Sequence, residues 1–470
     1  MRGVARVGVY APLLRLDCAA ASRALKFSGL PGRRDGFRAV GGWDEDAFTF
    51  AVEAARGGSP PDALVFASTS APFFERLHAT LAVDALGLPR ETRSRDVAGS
   101  RRCAVSALLD ALLGSSSDLI ATGERRAARP GSASHLAQGD GGAAAWVGDD
   151  APARLLGWAS LSHDLVDVYA SREHPYPYVA EERFVRETVA AEILVPTIRR
   201  ALESAGCSGA DIQHAAVHEP VAGLWREISR ATKSAAPNHA ADVSAKLGDL
   251  GAAHALFAFA LATARAKPGE RILLAGFGSG CDALVFEMTR PMPGAERAEA
   301  ALREGLALTD YVRFLSLSGA LELDWGVRSE FEQKAQPTVL ERYGRDALGF
   351  VGGRDSKGNV QFPKSRIPVR PDADGPEPMQ DVRLADEPAR IVSVTADRLN
   401  YTPDPPFWFG LAQFDIGARV MMEFTDANAS GFSVGDRVAM RLRIKSHDRR
   451  RGFRTYFWKA APAERPALGG

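Results

Sequence analysis

The stretch DVAGSRRCAVSALLDA, Asp96–Ala111, decides how the first part of this chain is read. A glycine-serine turn runs into a helix made of Ala104, Val105, Ala107, Leu108, Leu109 and Ala111, with hardly a polar face. A surface helix keeps one face for water, so a helix of this composition is central and buried. Outward from it, short apolar runs alternate with longer amphipathic ones over the first 290 residues, the pattern of a layered α/β fold. Strands are expected at Val7–Tyr10, Ala63–Phe66, Asp118–Ala121, Ala143–Val147, Ala215–Val217 and Ile272–Ala275. Helices are expected at Glu45–Ala55, Phe74–Leu86, Ala104–Leu113, Glu182–Ala205 and Ala252–Ala264. The layout recurs in each half: a buried helix followed by an apolar strand.

Beyond residue 290 the texture changes. A charged helical stretch, AERAEAALREGLALTDYVRFLSLSG, leads into Gly-, Pro- and Asp-rich sequence from Gly349 to Glu387. From Ala389 onward, short alternating runs with turn punctuation (RIVSVT, RVMMEF, RVAMRLRI, TYFWK) read as a small antiparallel barrel of about five strands.

Composition bounds the function. The 470 residues are 46% hydrophobic and 25% charged, enough apolar material for a sizeable core and against disorder throughout. The 58 basic and 58 acidic side chains balance, which argues against a nucleic-acid partner held by a global positive field. Cys18, Cys103, Cys207 and Cys281 are scattered, with neither metal-ligand spacing nor a disulfide framework, as expected of reduced thiols in a cytoplasm. The amino-terminal MRGVARVGVYAPLLRL is broken by Pro12 and Arg15 and makes a poor signal peptide. No run approaches the ~20 apolar residues of a membrane helix, so no membrane association is expected.

Five stretches carry candidate chemistry. STSAPFFER (Ser68–Arg76) follows a strand and opens a helix, a turn that sets side chains and free N–H groups at a sheet edge; an ordinary helix cap explains it as well. Cys103, near a helix start, is either a nucleophile with a lowered thiol pKa or a small core residue. His218, in VHEP, leaves a strand end just before a proline and is placed to be a base or an oxyanion donor, or is structural. LGDLGAAH (Leu247–His254) sets Asp249 in a glycine turn before a small-residue helix, and GFGSGCDA (Gly276–Ala283) is a glycine-rich loop able to bring Gly278, Ser279 and Gly280 N–H groups to a carbonyl or phosphate. The spacing of that loop is neither a Walker loop nor a dinucleotide fingerprint.

Taken in order, STSAPF, GSRRCAVSAL, GDGGAAA (Gly139–Ala145), HEP, GDLGAAH and GFGSG resemble the thiolase superfamily, in its 3-hydroxy-3-methylglutaryl-CoA synthase and β-ketoacyl-ACP synthase III branch. The resemblance implies a five-layered αβαβα sandwich of two similar halves over residues 1–290, commonly a homodimer. The remainder resembles an acyl-CoA-associated OB-fold domain with a rubredoxin-like zinc ribbon, a partner of thiolases, through YVRFL (Tyr311–Leu315), VQFP (Val360–Pro363), DIGARV, VGDRV and YFWK. The implied organisation is a helical linker at 291–345, a degenerate ribbon at 346–385 and an OB fold at 386–463.

The departures from the family are specific. Members that form an acyl-enzyme place a cysteine three residues before the small residue matched by Ala104, and that position is Arg101. Cys103 lies two residues further on, about 200° around a helix. The synthase glutamate is matched by Thr69, and the family's turn asparagine by Asp249; the histidine is kept as His218. The ribbon's four cysteines fall on Gly349, Gly352, Ile367 and Arg370, none a ligand, so zinc is not expected.

The resemblance therefore implies a coenzyme A thioester as substrate and altered carbon–carbon chemistry. His218 would be base or oxyanion donor, the Gly278–Gly280 backbone would support a carbonyl oxygen, and Asp249 or Ser68 would orient substrate. The alternative is a catalytically silent acyl-CoA-binding or thiolase-partner scaffold. Arg101, Arg102 and Arg125–Arg129 are candidates for coenzyme A phosphates, against a solvated surface for the last group. HDRRRGFR (His447–Arg454) reads as a hairpin tip of solvated arginines.

Overall fold

The computed structural model describes residues 2–29, 35–171, 173–323, 337–371, 375–400 and 402–468. In the first half, strands β1 (Gly3–Tyr10), β2 (Ala63–Ala67), β3 (Arg93–Val97), β4 (Asp118–Glu124) and β5 (Gly141–Gly148) lie in the order β1-β5-β4-β2-β3. In the second, β6 (Ala153–Ser162), β7 (His214–Val217), β8 (Arg271–Phe277) and β9 (Gly280–Met288) lie in the order β6-β9-β8-β7. The halves join where Gly3 and Val4 of β1 pair with Arg154 and Ala153 of β6. Both run by the same rule: the first strand pairs antiparallel with the last, and the strands feeding helices are parallel. Among the described residues the second half has no strand matching β3; one parallel bridge, Ala215 to Asn238, stands in its place.

Two helices, α2 (Cys103–Leu113) and α4 (His254–Arg265), fill the layer between the two half-sheets and touch strands of both. Ala255–Thr263 is entirely buried, which its small and apolar side chains permit. The outer layers are α1 (Ala47–Ala54) on the first half and α3 (Val195–Ser204) on the second. The five-layered sandwich expected from the sequence is thus the fold. The expected helix Glu182–Ala205 is interrupted at Val189–Leu194 by a π-type stretch, just before Pro196, which has no N–H for the carbonyl four residues back. Arg93–Val97, Ala153–Ser162 and Gly280–Met288 are strands that the apolar pattern does not reveal.

All eight residues of α1 are buried, because a second body covers its outer face. That body is a barrel of β10 (Ala389–Asp397), β11 (Phe407–Phe414), β12 (Arg419–Glu423), β13 (Arg437–Asp448) and β14 (Phe453–Pro462), in the order β12-β11-β10-β13-β14. Phe424 and Thr425, just past β12, bond to Ala460 of β14 and close it. Arg449–Gly452 forms the tip of the β13–β14 hairpin. The stretch after residue 290 folds back on the core: Leu306–Leu308 pairs in parallel with Leu14–Leu16, and Tyr311 shares a 2.9 Å hydrogen bond with His135.

The ribbon segment is a three-stranded sheet of Val351–Arg354, Val360–Gln361 and Gln380–Arg383. Gly349, Gly352, Ile367 and Arg370 offer no thiolate or imidazole, so the donor set does not fit zinc. The buried Gln361 amide ties the loop instead, donating to Ile367 O at 3.1 Å and accepting from Val369 N at 2.9 Å. Among the described residues no helix is long and apolar enough to cross a membrane.

Candidate active site

The parallel strands β4 and β7 end at the amino-terminal side of the central helices, and their last residues bring the charged side chains together. His218 follows β7, its backbone N–H bonded to Ala275 O at 3.0 Å. Its Nε2 meets Asp249 Oδ1 at 3.2 Å. Asp249 sits in the glycine turn before α4; its carboxylate also accepts from Gly251 N at 2.9 Å and is ion-paired with Arg126 Nη2 at 3.2 Å, which donates to the Asp249 carbonyl at 2.6 Å. His254, in the first turn of α4, packs its ring 5.1 Å from that of His218. Leu250 N donates to His254 Nδ1 at 3.1 Å and His254 Nε2 donates to Ala240 O at 3.1 Å, which defines a neutral ring. Burial and the neighbouring His218 push His254 down to about 4.

Burial alone would push Asp249 up, but the Arg126 guanidinium, with His218 and His254, holds its carboxyl well below the usual carboxylate range. A permanently ionised Asp249 accepting the Nε2–H of His218 leaves Nδ1 as the basic nitrogen, the arrangement of a histidine base oriented by a carboxylate. His218 is 2% exposed and the Asp249 side chain 25%, so Asp249 marks the open side of the pair.

Sequence reasoning missed two members. Glu124, the last residue of β4, is fully buried. Its carboxylate accepts from Thr69 N at 2.6 Å, from Thr69 Oγ1 at 3.0 Å to each oxygen, and from Ser70 Oγ at 2.7 Å. Burial pushes its pKa up, against the Arg126 charge and these hydrogen bonds. Arg126, read either as a ligand for coenzyme A phosphates or as solvated surface, is the cation between Glu124 and Asp249. The turn closes tightly on both: at Gly251, φ +55°, a Cβ would lie 2.9 Å from Arg126 Nε and 3.1 Å from Glu124 Cγ. The available signal was an acidic residue directly after an apolar strand, in DLIATGE.

The other expected residues fall into place differently. Cys103 is 3% exposed, and burial with Glu124 nearby pushes its thiol up, the opposite of what a nucleophilic thiolate needs. Arg101, in the turn before α2, is ion-paired with Asp167 and lies 5.9 Å over the Phe277 ring. Arg102 bonds to Leu161 O at 3.0 Å. Neither reaches outward as a free phosphate ligand. Ser68 is 1% exposed; its hydroxyl donates to Gly123 O at 2.8 Å and accepts from Ser70 N at 3.0 Å, so it ties strand ends together rather than facing substrate. In the glycine-rich loop, Gly278 N donates to Gly280 O at 3.0 Å within the loop itself, and Ser279 turns through φ +48°. Arg125 bonds to Gly42 O at 2.6 Å and Leu317 O at 2.7 Å and is a structural tie; Arg129 lies 5.4 Å over Tyr176.

No family model matches the chain. It is 25% identical over 318 residues to the hydroxymethylglutaryl-CoA synthase of Aeropyrum pernix, 63% of this chain and 84% of that protein. It is 28% identical over 313 residues to the enzyme of the same name from Pyrobaculum arsenaticum, 61% of this chain and 88% of that one. Among solved structures, the fold is similar to MvaS in complex with 3-hydroxy-3-methylglutaryl coenzyme A (TM-score 0.56, 20% identity, 67% of this chain and 91% of that one). It is also similar to 3-oxoacyl-(acyl carrier protein) synthase III of Pseudomonas aeruginosa (TM-score 0.51, 18% identity, 62% and 99%). With its duplicated halves and paired central helices, this chain has the thiolase-type five-layered fold of these proteins, and its sequence is similar to those of the hydroxymethylglutaryl-CoA synthases.

Proposed function

We propose that the protein makes or cleaves a carbon–carbon bond on a coenzyme A thioester without an acyl-cysteine intermediate. The observation that carries this reading is the His218–Asp249 pair, with an oriented basic nitrogen and an ionised carboxylate, standing where no thiolate accompanies it. A histidine base of this kind removes a proton next to a thioester carbonyl, and its protonated form returns one to that carbon in the opposite direction, so condensation and retro-aldol cleavage are both within its reach. Neither step requires a covalent enzyme adduct. The relatives named hydroxymethylglutaryl-CoA synthase and the neighbour bound to 3-hydroxy-3-methylglutaryl coenzyme A support the thioester as substrate class.

In this reading the carboxy-terminal barrel is an OB fold: its five-strand order, closed by the Phe424–Ala460 bridge, supports that assignment. A cytoplasmic homodimer completes the proposal, supported by the reduced-thiol composition and the family's habit. The test is product analysis with acetyl-CoA plus acetoacetyl-CoA for condensation, and separately with 3-hydroxy-3-methylglutaryl-CoA for cleavage to acetyl-CoA and acetoacetate. Turnover that survives Cys103→Ser and disappears in His218→Ala is the expected result. Binding of these thioesters with no turnover in either direction would favour the silent scaffold.

A further inference from the structure

Glu124 is a fully buried carboxylate whose hydrogen-bond partners are chiefly hydroxyls. Ser70, one of them, is locked, because its Oγ also accepts from Arg125 N at 2.8 Å. Thr69 is different. Its Oγ1 lies at 3.0 Å from both Glu124 oxygens, its own N–H anchors the same carboxylate at 2.6 Å, and the residue is exposed. A buried carboxyl and the outside of the protein are therefore joined by one hydroxyl, which donates inward to an ionised Glu124 and, when Glu124 is protonated and donates to it, has its own proton to give outward.

The surroundings suit proton storage. The groups facing Glu124 are Arg126 on its own strand extension, the Cys103 thiol at the start of α2, and the Thr69 and Ser70 hydroxyls after β2. Arg126 is shared with Asp249, at 3.2 Å, so the cation that faces Glu124 is already neutralised in part by a stronger acid. Burial then favours the protonated form of Glu124 while Asp249 stays ionised. Two carboxyl groups whose surroundings push them in opposite directions are the usual sign of an acid and a base with divided roles.

We propose that Glu124 and Thr69 form a proton relay to the substrate, with Glu124 as the buried proton store and the Thr69 hydroxyl as the group that meets substrate. The proposal rests on the reading that the protein works on a coenzyme A thioester. In condensation, the alkoxide oxygen formed on the substrate takes the Thr69 Oγ–H proton as Glu124 gives its own proton to Thr69 Oγ. Glu124 ends as carboxylate and the substrate oxygen as hydroxyl. Cleavage runs the same transfers backwards. In these terms Thr69 is the catalytic residue and Glu124 a positioning residue that acts through it.

The test measures kcat, KM and the pH profile of kcat for the full chain and for Thr69→Val, Thr69→Ser and Glu124→Gln, with the thioesters named above, together with exchange of their α-hydrogens in D2O. General acid catalysis is worth about a hundredfold or more, so Thr69→Val should lose that much in kcat with KM little changed. Thr69→Ser, which keeps the hydroxyl, should restore most of it, and Glu124→Gln should remove one limb of the pH profile. Should Glu124→Gln fail to fold, the exposed Thr69 pair still decides. A wild type that turns over beside a Thr69→Val variant with the same kcat and pH profile overturns the relay and leaves the thioester reading standing. A wild type that binds the thioesters but neither converts them nor exchanges their hydrogens overturns both.

Discussion

Where α1 meets the barrel, buried cations and anions interleave; where β4 and β7 end beside the central helices, buried acids are set apart from one another. At the barrel, Lys459 lies 2.9 Å from both Asp44 and Glu423, and Arg443 lies 3.1 Å from Glu45 and 2.9 Å from Asp426. Arg454 and the Tyr456 hydroxyl both bond to Asp46, at 2.8 and 2.9 Å, and Glu53 accepts from Leu442 N at 2.8 Å. Burial works against charge on Asp44, Glu53, Lys459 and Arg443, and opposite charges outweigh it in all four. Glu45 is the exception, pushed up by burial despite Arg443. At the site, one carboxyl is held ionised, another is pushed toward its protonated form, and a histidine is kept neutral. The first arrangement fixes charge and joins two bodies; the second leaves protons to move.

The largest effect should come from the barrel contact. Arg443→Met removes the cation from among Asp44, Glu45 and Asp426 and should lower unfolding stability by about 3–5 kcal/mol, since an unpaired buried charge is left behind. Denaturant unfolding measures it, and a loss under 1 kcal/mol would mean the interface is not closed to water. Asp249→Asn is the converse: a rate loss of about a hundredfold, or 2.7 kcal/mol in the barrier, with a smaller change in stability. Equal losses in both would make the pair structural.

Acid separates the regions more finely. His254 titrates at about 4 when folded and near 6.5 when unfolded, so below pH 6.5 the unfolded chain takes up a proton that the folded one refuses. Stability from this residue is complete above 6.5 and declines as pH falls toward 4, by at most about 1.4 kcal/mol per pH unit. His254→Gln should flatten that part of the stability curve; an unchanged slope would assign the acid sensitivity elsewhere. The smallest effect is expected in the ribbon segment, where Gln361→Ala should cost about 1 kcal/mol and speed amide exchange at Val369.

How much of this was legible in the sequence depended on what each residue's neighbours had to be. The small-residue stretch after Arg102, the glycine turn around Asp249 and His218 at a strand end were readable, because only close packing or a tight turn explains them. The strand Arg93–Val97 was not, since an edge strand is half solvated and its RSRDV carries no apolar run. Nor was Glu124: an acid after an apolar run reads as a surface end, and nothing local tells that Thr69 and Ser70, some 55 positions away, will cap it. Arg125 and Arg126 were misread for the same reason, their partners being carbonyls and a carboxylate from distant turns. The four buried charges of α1 and the loop before it likewise make sense only once the barrel is seated on them.

The central claim is that carbon–carbon chemistry proceeds here without an acyl-enzyme. Intact-protein mass spectrometry on samples quenched during turnover of acetyl-CoA and acetoacetyl-CoA tests it most directly. The account predicts product in solution and unmodified protein at every time point. An acyl adduct that forms during turnover and vanishes in Cys103→Ser would contradict it and make that thiol the nucleophile.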